Sequence, residues 1–175
     1  MSARPEGPAW FAVHVRSNCE RGTADYVRDH DIEVFLPTYR APSKRRDRSV
    51  VLNRPLFPGY LFVHIDPRGP ERVQVLRAPG TVRIVGFGEE PSPVPDGTIE
   101  SIRILVGDGD GPARPHPLLR VGKRVEVVGG PFAGARGVLS EADSHRKPHL
   151  VVEVNFLGRA VSVPIDPSQV VPLPT

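Results

Sequence analysis

The sequence predicts an α+β protein of two domains, in which a small sheet with packed helices is followed by a small all-β barrel. Proline occurs 21 times in 175 residues, which disfavours a helical bundle because proline fits poorly inside helices. Helix-like and strand-like patterns alternate up to residue 106, whereas only short strand-like runs follow residue 117. The segment between them, GDGDGPARPHP, cannot form an amphipathic face and indicates a linker.

The first domain combines both kinds of element. Aromatic and β-branched runs predict strands, and apolar residues at helical spacing predict helices. The strands fall at 10–15, 50–52, 60–65 and 82–85, with a further apolar run at 32–36 that stops at Pro37. The helices fall at 20–30, 70–76 and 96–106. The last helix has Asp96 as an N-cap candidate and apolar residues on one face.

The second domain contains strand signals alone. They fall at 124–128, 135–140, 150–155, 159–163 and 170–171, separated by glycine, proline and aspartate turns. Five short strands in so short a segment predict a small barrel. The expected organisation is therefore a tail at 1–8, a first domain at 9–106, a linker at 107–117 and a second domain at 118–175.

Composition excludes several classes of protein. No apolar run approaches the ~18 residues that a membrane span requires, and residues 1–8 lack the apolar stretch of a signal peptide. The single cysteine, Cys19, cannot form an internal disulfide, so we expect a cytoplasmic protein without membrane association. The net charge of +3 and the sequence pI of about 9.4 are compatible with an anionic partner.

The sequence contains no recognisable catalytic pattern. It has no G-x-S-x-G elbow, no phosphate-binding loop and no G-x-G-x-x-G after a strand. His145 and His149 are separated by four positions, but Pro148 between them disfavours a helical zinc pair. We therefore expect neither an enzyme nor a bound metal or cofactor.

An aromatic motif, PLFPGYLFV at 55–63, is a candidate binding feature. Phe57 precedes the Pro58-Gly59 turn, and a rigid turn would present its ring as an anchor with little loss of entropy. The alternative is a turn that simply leads into a core strand. Alternation along that strand would place Tyr60 and Phe62 on one side and Leu61 and Val63 on the other.

Positive charge is concentrated between residues 40 and 54. This segment has six Lys or Arg against one Asp. It forms either a solvated loop or a basic loop or hairpin that contacts nucleic-acid phosphates. The cluster of Lys44, Arg45, Arg46 and Arg48 has no interleaved aromatic residue, so base stacking is not indicated.

Taken in order, these motifs resemble the NusG family of transcription elongation factors along nearly the whole chain. WFAVHVRSNCE, PLFPGYLFVHI and the strand leading to FGEEPSPVP resemble the family's N-terminal NGN domain, a small antiparallel sheet with packed helices. GKRVEVVGGPFAGARGVL and NFLGRAVSVPIDPSQV resemble its KOW domain, an SH3-like barrel. The combination in this order is more specific than the KOW string alone.

The resemblance implies a monomeric, non-enzymatic factor that binds bacterial RNA polymerase and modulates pausing, termination and antitermination. In the family, the first domain docks on the clamp helices of the β′ subunit, in some members also on the β subunit. The matching positions here are His14, Arg16, Phe57, Tyr60, Ile84 and Phe87. Trp10 and Phe11 match an aromatic pair that we expect to be packing residues.

The resemblance also implies further partners. The cluster Lys44, Arg45, Arg46 and Arg48 matches the region that approaches upstream or non-template DNA. The KOW domain of the family binds Rho or the ribosomal protein NusE, which links transcription to translation. The positions that match this surface are Phe132, Phe156, Leu157 and Arg159.

The sequence LFPGYLFVHIDP looks closer to that of specialised paralogues of the RfaH type. RfaH touches the polymerase β subunit through a His-Thr-Thr-Thr stretch, where this chain has Glu71-Arg72-Val73-Gln74. The RfaH C-terminal domain can be helical, whereas glycines and prolines favour a constitutive barrel here. Both a general factor and an operon-specific antiterminator are compatible with these residues.

An RNA-binding or ribosome-associated KOW protein is the alternative. Such a protein would bind RNA tightly through a basic barrel. From residue 107 onwards, however, eight Lys or Arg are balanced by seven Asp or Glu. This balance favours the elongation-factor hypothesis.

Overall fold

The computed structural model describes residues 7–43, 50–107, 113–116, 122–140, 149–154 and 159–174. Its elements alternate in the first half and are strands in the second. In chain order they are β1 Ala9–Val15, α1 Glu20–Asp29, β2 Glu33–Phe35, β3 Thr38–Pro42, β4 Val51–Pro55, β5 Tyr60–Ile65, α2 Pro70–Arg77, β6 Thr81–Ile84, β7 Gly86–Phe87, β8 Glu90–Pro91, β9 Pro93–Val94, α3 Asp96–Val106, β10 Arg114–His116, β11 Lys123–Val127, β12 Arg136–Ser140, β13 His149–Val154, β14 Arg159–Pro164 and β15 Val170–Pro172. The predicted α+β class is confirmed.

The chain divides into two compact units. The N-terminal unit comprises Met1–Leu36 and Phe57–Asp96, and the C-terminal unit comprises Pro37–Leu56 and Gly97–Thr175. This division differs from the predicted boundary between residues 106 and 107, because α3 and the β3–β4 hairpin group with the barrel. Each unit is described by itself below.

The N-terminal unit is built on an antiparallel sheet with the strand order β2-β5-β1-β6, and β9 also pairs with β1. One face of this sheet carries the alternate apolar residues of β1 and β5, which pack against α1 and the C-terminal part of α2. We call it the helix-covered face. The core cluster on this face consists of Phe11, Val13, Val15, Ala24, Val27, Ile32, Leu61, Val63, Ile65, Val75 and Ala78.

The other face of the sheet, which we call the open-register face, carries the intervening residues. Trp10, Ala12 and Phe62 on this face are buried, so both sides of the central strands contribute to the interior. His14 and Tyr60, nearer the end of these strands, are only half-buried. The expectation that Trp10 and Phe11 are packing residues agrees with their burial.

The C-terminal unit contains an antiparallel sheet with the order β10-β14-β13-β12-β11-β15. Its inner residues include Val125, Leu150 and Val161, each no more than 2% exposed. The same unit contains α3, whose Ser101 is 2% exposed. The backbone N–H of Arg136 donates to Ser101 Oγ at 3.0 Å, so a buried hydroxyl joins α3 to the first residue of β12.

Part of the predicted linker at 107–117 lies in a strand. Residues 114–116 form β10, which pairs antiparallel with β14 in the register Arg114↔Ser162, Pro115↔Val161 and His116↔Ala160. Ala113 just before it is 1% exposed. A three-residue strand at a sheet edge needs no apolar alternation of its own, and an edge tolerates Pro115.

Among the described residues, no helix is long and apolar enough to cross a membrane.

Candidate functional site

Two of the predicted contact residues lie side by side on the open-register face. His14 on β1 is the direct cross-strand partner of Tyr60 on β5. Their rings stack with centroids 5.2 Å apart and an interplanar angle of 27°. Both side chains are half-buried. They therefore form a half-buried aromatic pair that contains two of the predicted contact residues, and we call this pair and its surroundings the docking face.

The turn before Tyr60 is fixed from two directions. Gly59 adopts φ +83°, a conformation that favours glycine. Its N–H donates to Glu20 Oε1 at 2.9 Å, and its carbonyl accepts the N–H of Val15 at 2.8 Å. Glu20 is the first residue of α1 and is 6% exposed, where the positive end of the helix stabilises a carboxylate. The start of β5, and with it Tyr60, is thereby tied to both α1 and β1.

Phe57 differs from the expectation of an exposed anchor. Its side chain is 1% exposed, and its ring meets that of Phe62 edge-to-face with centroids 5.7 Å apart. A phenyl ring gains more free energy from complete burial and an aromatic neighbour than from a solvent-facing position. Phe57 therefore supports the turn from the interior, and its ring is not available to a partner in this structure.

Ile84 also lies away from the docking face. On β6 it is the partner of Val13, and it packs against the core cluster of the helix-covered face. Arg83, one residue earlier, is the partner of His14 and is exposed. The structure thus brings Arg83, rather than Ile84, beside the ring pair.

Arg16 and Phe87 remain accessible. Arg16 follows β1 directly, and its side chain is exposed while its N–H donates to the Gly80 carbonyl at 2.8 Å. The register of β1 against β6 shifts between His14 and Val15, just before this residue. Phe87 lies on the short β7–β8 hairpin and is 77% exposed. Its ring therefore contributes little to packing within the protein.

The described ends of the basic segment lie in a hairpin. β3 and β4 pair antiparallel from Thr38↔Pro55 to Pro42↔Val51. Val51 and Leu52 on β4 are exposed, as is Arg40 on β3. The four predicted DNA contacts between these arms, Lys44, Arg45, Arg46 and Arg48, lie outside the described residues.

The predicted partner surface of the barrel is described in part. Phe132 is half-buried in the turn between β11 and β12, and Arg159 is exposed at the start of β14. Phe156 and Leu157, which follow β13 in sequence, lie outside the described residues. The structure therefore gives the exposure of two of these four positions.

Sequence reasoning missed Glu20 and Arg83. The contact of Glu20 with Gly59 joins residues 39 positions apart, and only an acidic residue in the first turn of a helix hinted at it. Arg83 becomes a neighbour of His14 through the pairing register, which a strand pattern alone does not specify.

The family model described as "Transcription termination factor nusG" matches residues 8–103, more than half of the chain. The chain belongs to the NusG family. This NusG-family protein is 33% identical to the transcription termination/antitermination protein NusG of Escherichia coli K12, over 97% of this chain and 98% of that one. It is 32% identical to the NusG of Thermus thermophilus, over 93% of this chain and 97% of the other.

A solved structure of Thermotoga maritima NusG matches with a TM-score of 0.55 and 25% identity, over 95% of this chain and 98% of that one. This similarity fits the layout of an NGN domain followed by a KOW domain. Members of the NusG family are non-enzymatic transcription factors, so the expectation that the chain is not an enzyme is confirmed. These relatives carry the NusG name, and the closer similarity to RfaH-like paralogues stays a prediction.

Proposed function

We propose that this NusG-family protein binds bacterial RNA polymerase through the docking face and modulates elongation, pausing, termination and antitermination. The stacked pair of His14 and Tyr60, fixed by the Gly59 contacts, is the observation that carries this proposal. Half-buried aromatic rings on a rigid strand lose little entropy when a partner covers them. By resemblance to the family, the partner is the pair of clamp helices of the β′ subunit.

The mechanism requires binding energy alone. A factor that binds an elongation-competent, clamp-closed polymerase more tightly than a paused one shifts the population towards elongation. Arg16 and Phe87 are exposed, and by resemblance to the family they add to the contact with polymerase. Phe57 supports the turn from the interior. Ile84 packs against the core cluster of the helix-covered face, so its contribution is to the stability of the sheet.

The β3–β4 hairpin adds contact with nucleic acid. In the sequence, its two strands flank the cluster Lys44, Arg45, Arg46 and Arg48. Contacts of these side chains with the phosphates of upstream or non-template DNA would be independent of sequence and sensitive to salt.

The barrel supplies a second partner site. Exposed Arg159 and half-buried Phe132, with Phe156 and Leu157, bind NusE or Rho in this proposal. A partner held there has a raised effective concentration near the polymerase, because both units belong to one chain. Such an arrangement couples transcription to translation or to termination in the cytoplasm.

A capture experiment with the full chain tests the docking face. Purified RNA polymerase is mixed with the wild type, Tyr60→Ala and the matched control Tyr26→Ala. Tyr26 lies in α1, and its ring stacks on His30, the residue that follows this helix. We expect the wild type and Tyr26→Ala to retain polymerase and Tyr60→Ala to lose it, with all three folded by circular dichroism.

Equal capture by folded Tyr60→Ala and the wild type would refute the assigned face. If no variant captures polymerase, the alternative of an RNA-binding KOW protein gains weight, and salt-dependent binding of RNA by the full chain would support it.

A further inference from the structure

The docking face continues on to a third strand. His14 on β1 has two direct cross-strand partners, Tyr60 on β5 and Arg83 on β6. All three side chains are on the open-register face, because directly paired residues share a side of the sheet. We call this set the contact row. It begins with an aromatic ring and ends with a guanidinium group.

Arg83 is exposed, and within the described parts of the N-terminal unit it has no ion pair or side-chain hydrogen bond. A guanidinium group offers five N–H donors in a planar fork that matches a carboxylate. An unpaired fork beside an aromatic surface is well suited to an acidic group that arrives together with apolar side chains.

The dimensions of the contact row fit a single helix. Neighbouring strands are about 4.8 Å apart, so three strands span about 10 Å. An α-helix with its side chains has a diameter of about 10–12 Å. A helix lying across the row can therefore place an apolar side chain on Tyr60 and His14 and a carboxylate at Arg83.

A protein helix suits this face better than a nucleic-acid backbone does. Glu33 on β2 is on the same face, where its carboxylate lies 3.5 Å from His64 Nδ1 and its side chain is 55% exposed. His64 is four residues from Tyr60 along β5, which corresponds to about 13 Å. A phosphate chain that followed the strand from Tyr60 would meet the Glu33 carboxylate, whereas a helix can cross the contact row without approaching it.

We propose that Arg83 is a specificity-determining contact that pairs with a carboxylate on the helix that RNA polymerase presents to Tyr60 and His14. The inference rests on the proposed function and names the charge chemistry of the docking site. The aromatic part of the row supplies contact area, and Arg83 selects among apolar helices those that carry an acidic residue at the right turn.

The test measures the dissociation constant of the full chain for RNA polymerase core enzyme. The variants are Arg83→Ala, Arg83→Glu and Arg83→Lys. Arg77→Glu is the matched control, since Arg77 is an exposed arginine in the last turn of α2, which packs on the helix-covered face. Tyr60→Ala reports separately on the docking face.

We expect Arg83→Ala to weaken binding about 10-fold and Arg83→Glu by more, since removing one member of a desolvated charge pair leaves the other unpaired. Arg83→Lys should be intermediate, because lysine keeps the charge but not the planar fork. Arg77→Glu should bind like the wild type. The affinity of the wild type should also depend more steeply on salt than that of Arg83→Ala.

Three outcomes would overturn the inference in distinguishable ways. If Arg83→Glu binds like Arg77→Glu while Tyr60→Ala loses binding, the docking face stands and the carboxylate pairing is wrong. If the wild type does not bind or Tyr60→Ala binds equally well, the proposed function fails and the inference fails with it. Binding of duplex DNA that is lost in Arg83→Ala but kept in Arg77→Glu would assign Arg83 to nucleic acid instead.

Discussion

At the scale of single residues, the extent of burial distinguishes two aromatic side chains of the motif at 55–63, Phe57 and Tyr60. Tyr60 is half-buried and stacks on His14, whereas Phe57, three positions earlier, is almost completely enclosed. Both side chains are aromatic and flank the same turn. The direction that Gly59 gives to the chain separates the two rings: Phe57 contributes stability, and Tyr60 is the proposed contact for a partner.

Substitution of Phe57 by alanine should destabilise the protein. Removing a buried phenyl ring costs about 3–5 kcal/mol, because the lost burial is compounded by the cavity that remains. Urea unfolding of the full chain measures this loss, with Phe87→Ala as the control. Because Phe87 is exposed, its truncation should change the free energy of unfolding by no more than about 0.5 kcal/mol. Equal stability of the two variants would contradict the burial of Phe57.

At the scale of elements, the sequence predicts which helices and strands form better than it predicts which of them pair. The three helices and the strands around 10–15 and 60–65 occur within a few residues of their predicted positions, since apolar period and turn residues are local signals. Whether Arg83 or Ile84 reaches the docking face depends on register, and β10 exists only through its pairing with β14. Such features are tertiary and have no local pattern.

Alanine substitutions at two glycines should change stability in opposite directions, one through local helix propensity and the other through a contact between strands. Gly22 lies in α1 with nothing near the position of an added methyl group, so Gly22→Ala should stabilise the protein by roughly 1 kcal/mol. Gly137 lies in β12, where an added methyl group would collide with the carbonyl oxygen of Val151. Gly137→Ala should therefore destabilise the protein by roughly 1–3 kcal/mol. Thermal unfolding of both variants tests these signs, and a stabilising Gly137→Ala would contradict the close approach of β12 and β13.

At the scale of the whole molecule, the two units follow different construction rules. The N-terminal unit combines a sheet with helices, and the C-terminal unit combines a barrel-type sheet with α3 and a hairpin drawn from earlier in the chain. The predicted boundary at 106/107 followed composition, which records where glycine and proline accumulate. Contacts such as the Arg136 N–H to Ser101 Oγ bond instead decide which elements form one compact body.

The C-terminal strands should persist under all conditions in which the protein is folded. A helical alternative would have to include Gly129, Gly130, Pro131, Gly134, Gly137, Pro148 and Pro164. Each glycine costs about 1 kcal/mol and each proline about 3 kcal/mol inside a helix. Carbon chemical shifts of residues 123–127, 150–152 and 160–163 in the full chain should report strand, both free and with polymerase. Helical shifts in either state would contradict this prediction.

The Glu20 contact with Gly59 has a consequence for the speed of recognition. Because α1 and β1 both hold the turn, the conformation that meets a partner is already populated when the two molecules collide. Ordering of the turn then takes place once, during folding, instead of at every encounter. Association should proceed without a slow rearrangement step, and differences in affinity among variants of the face should appear in the lifetime of the complex.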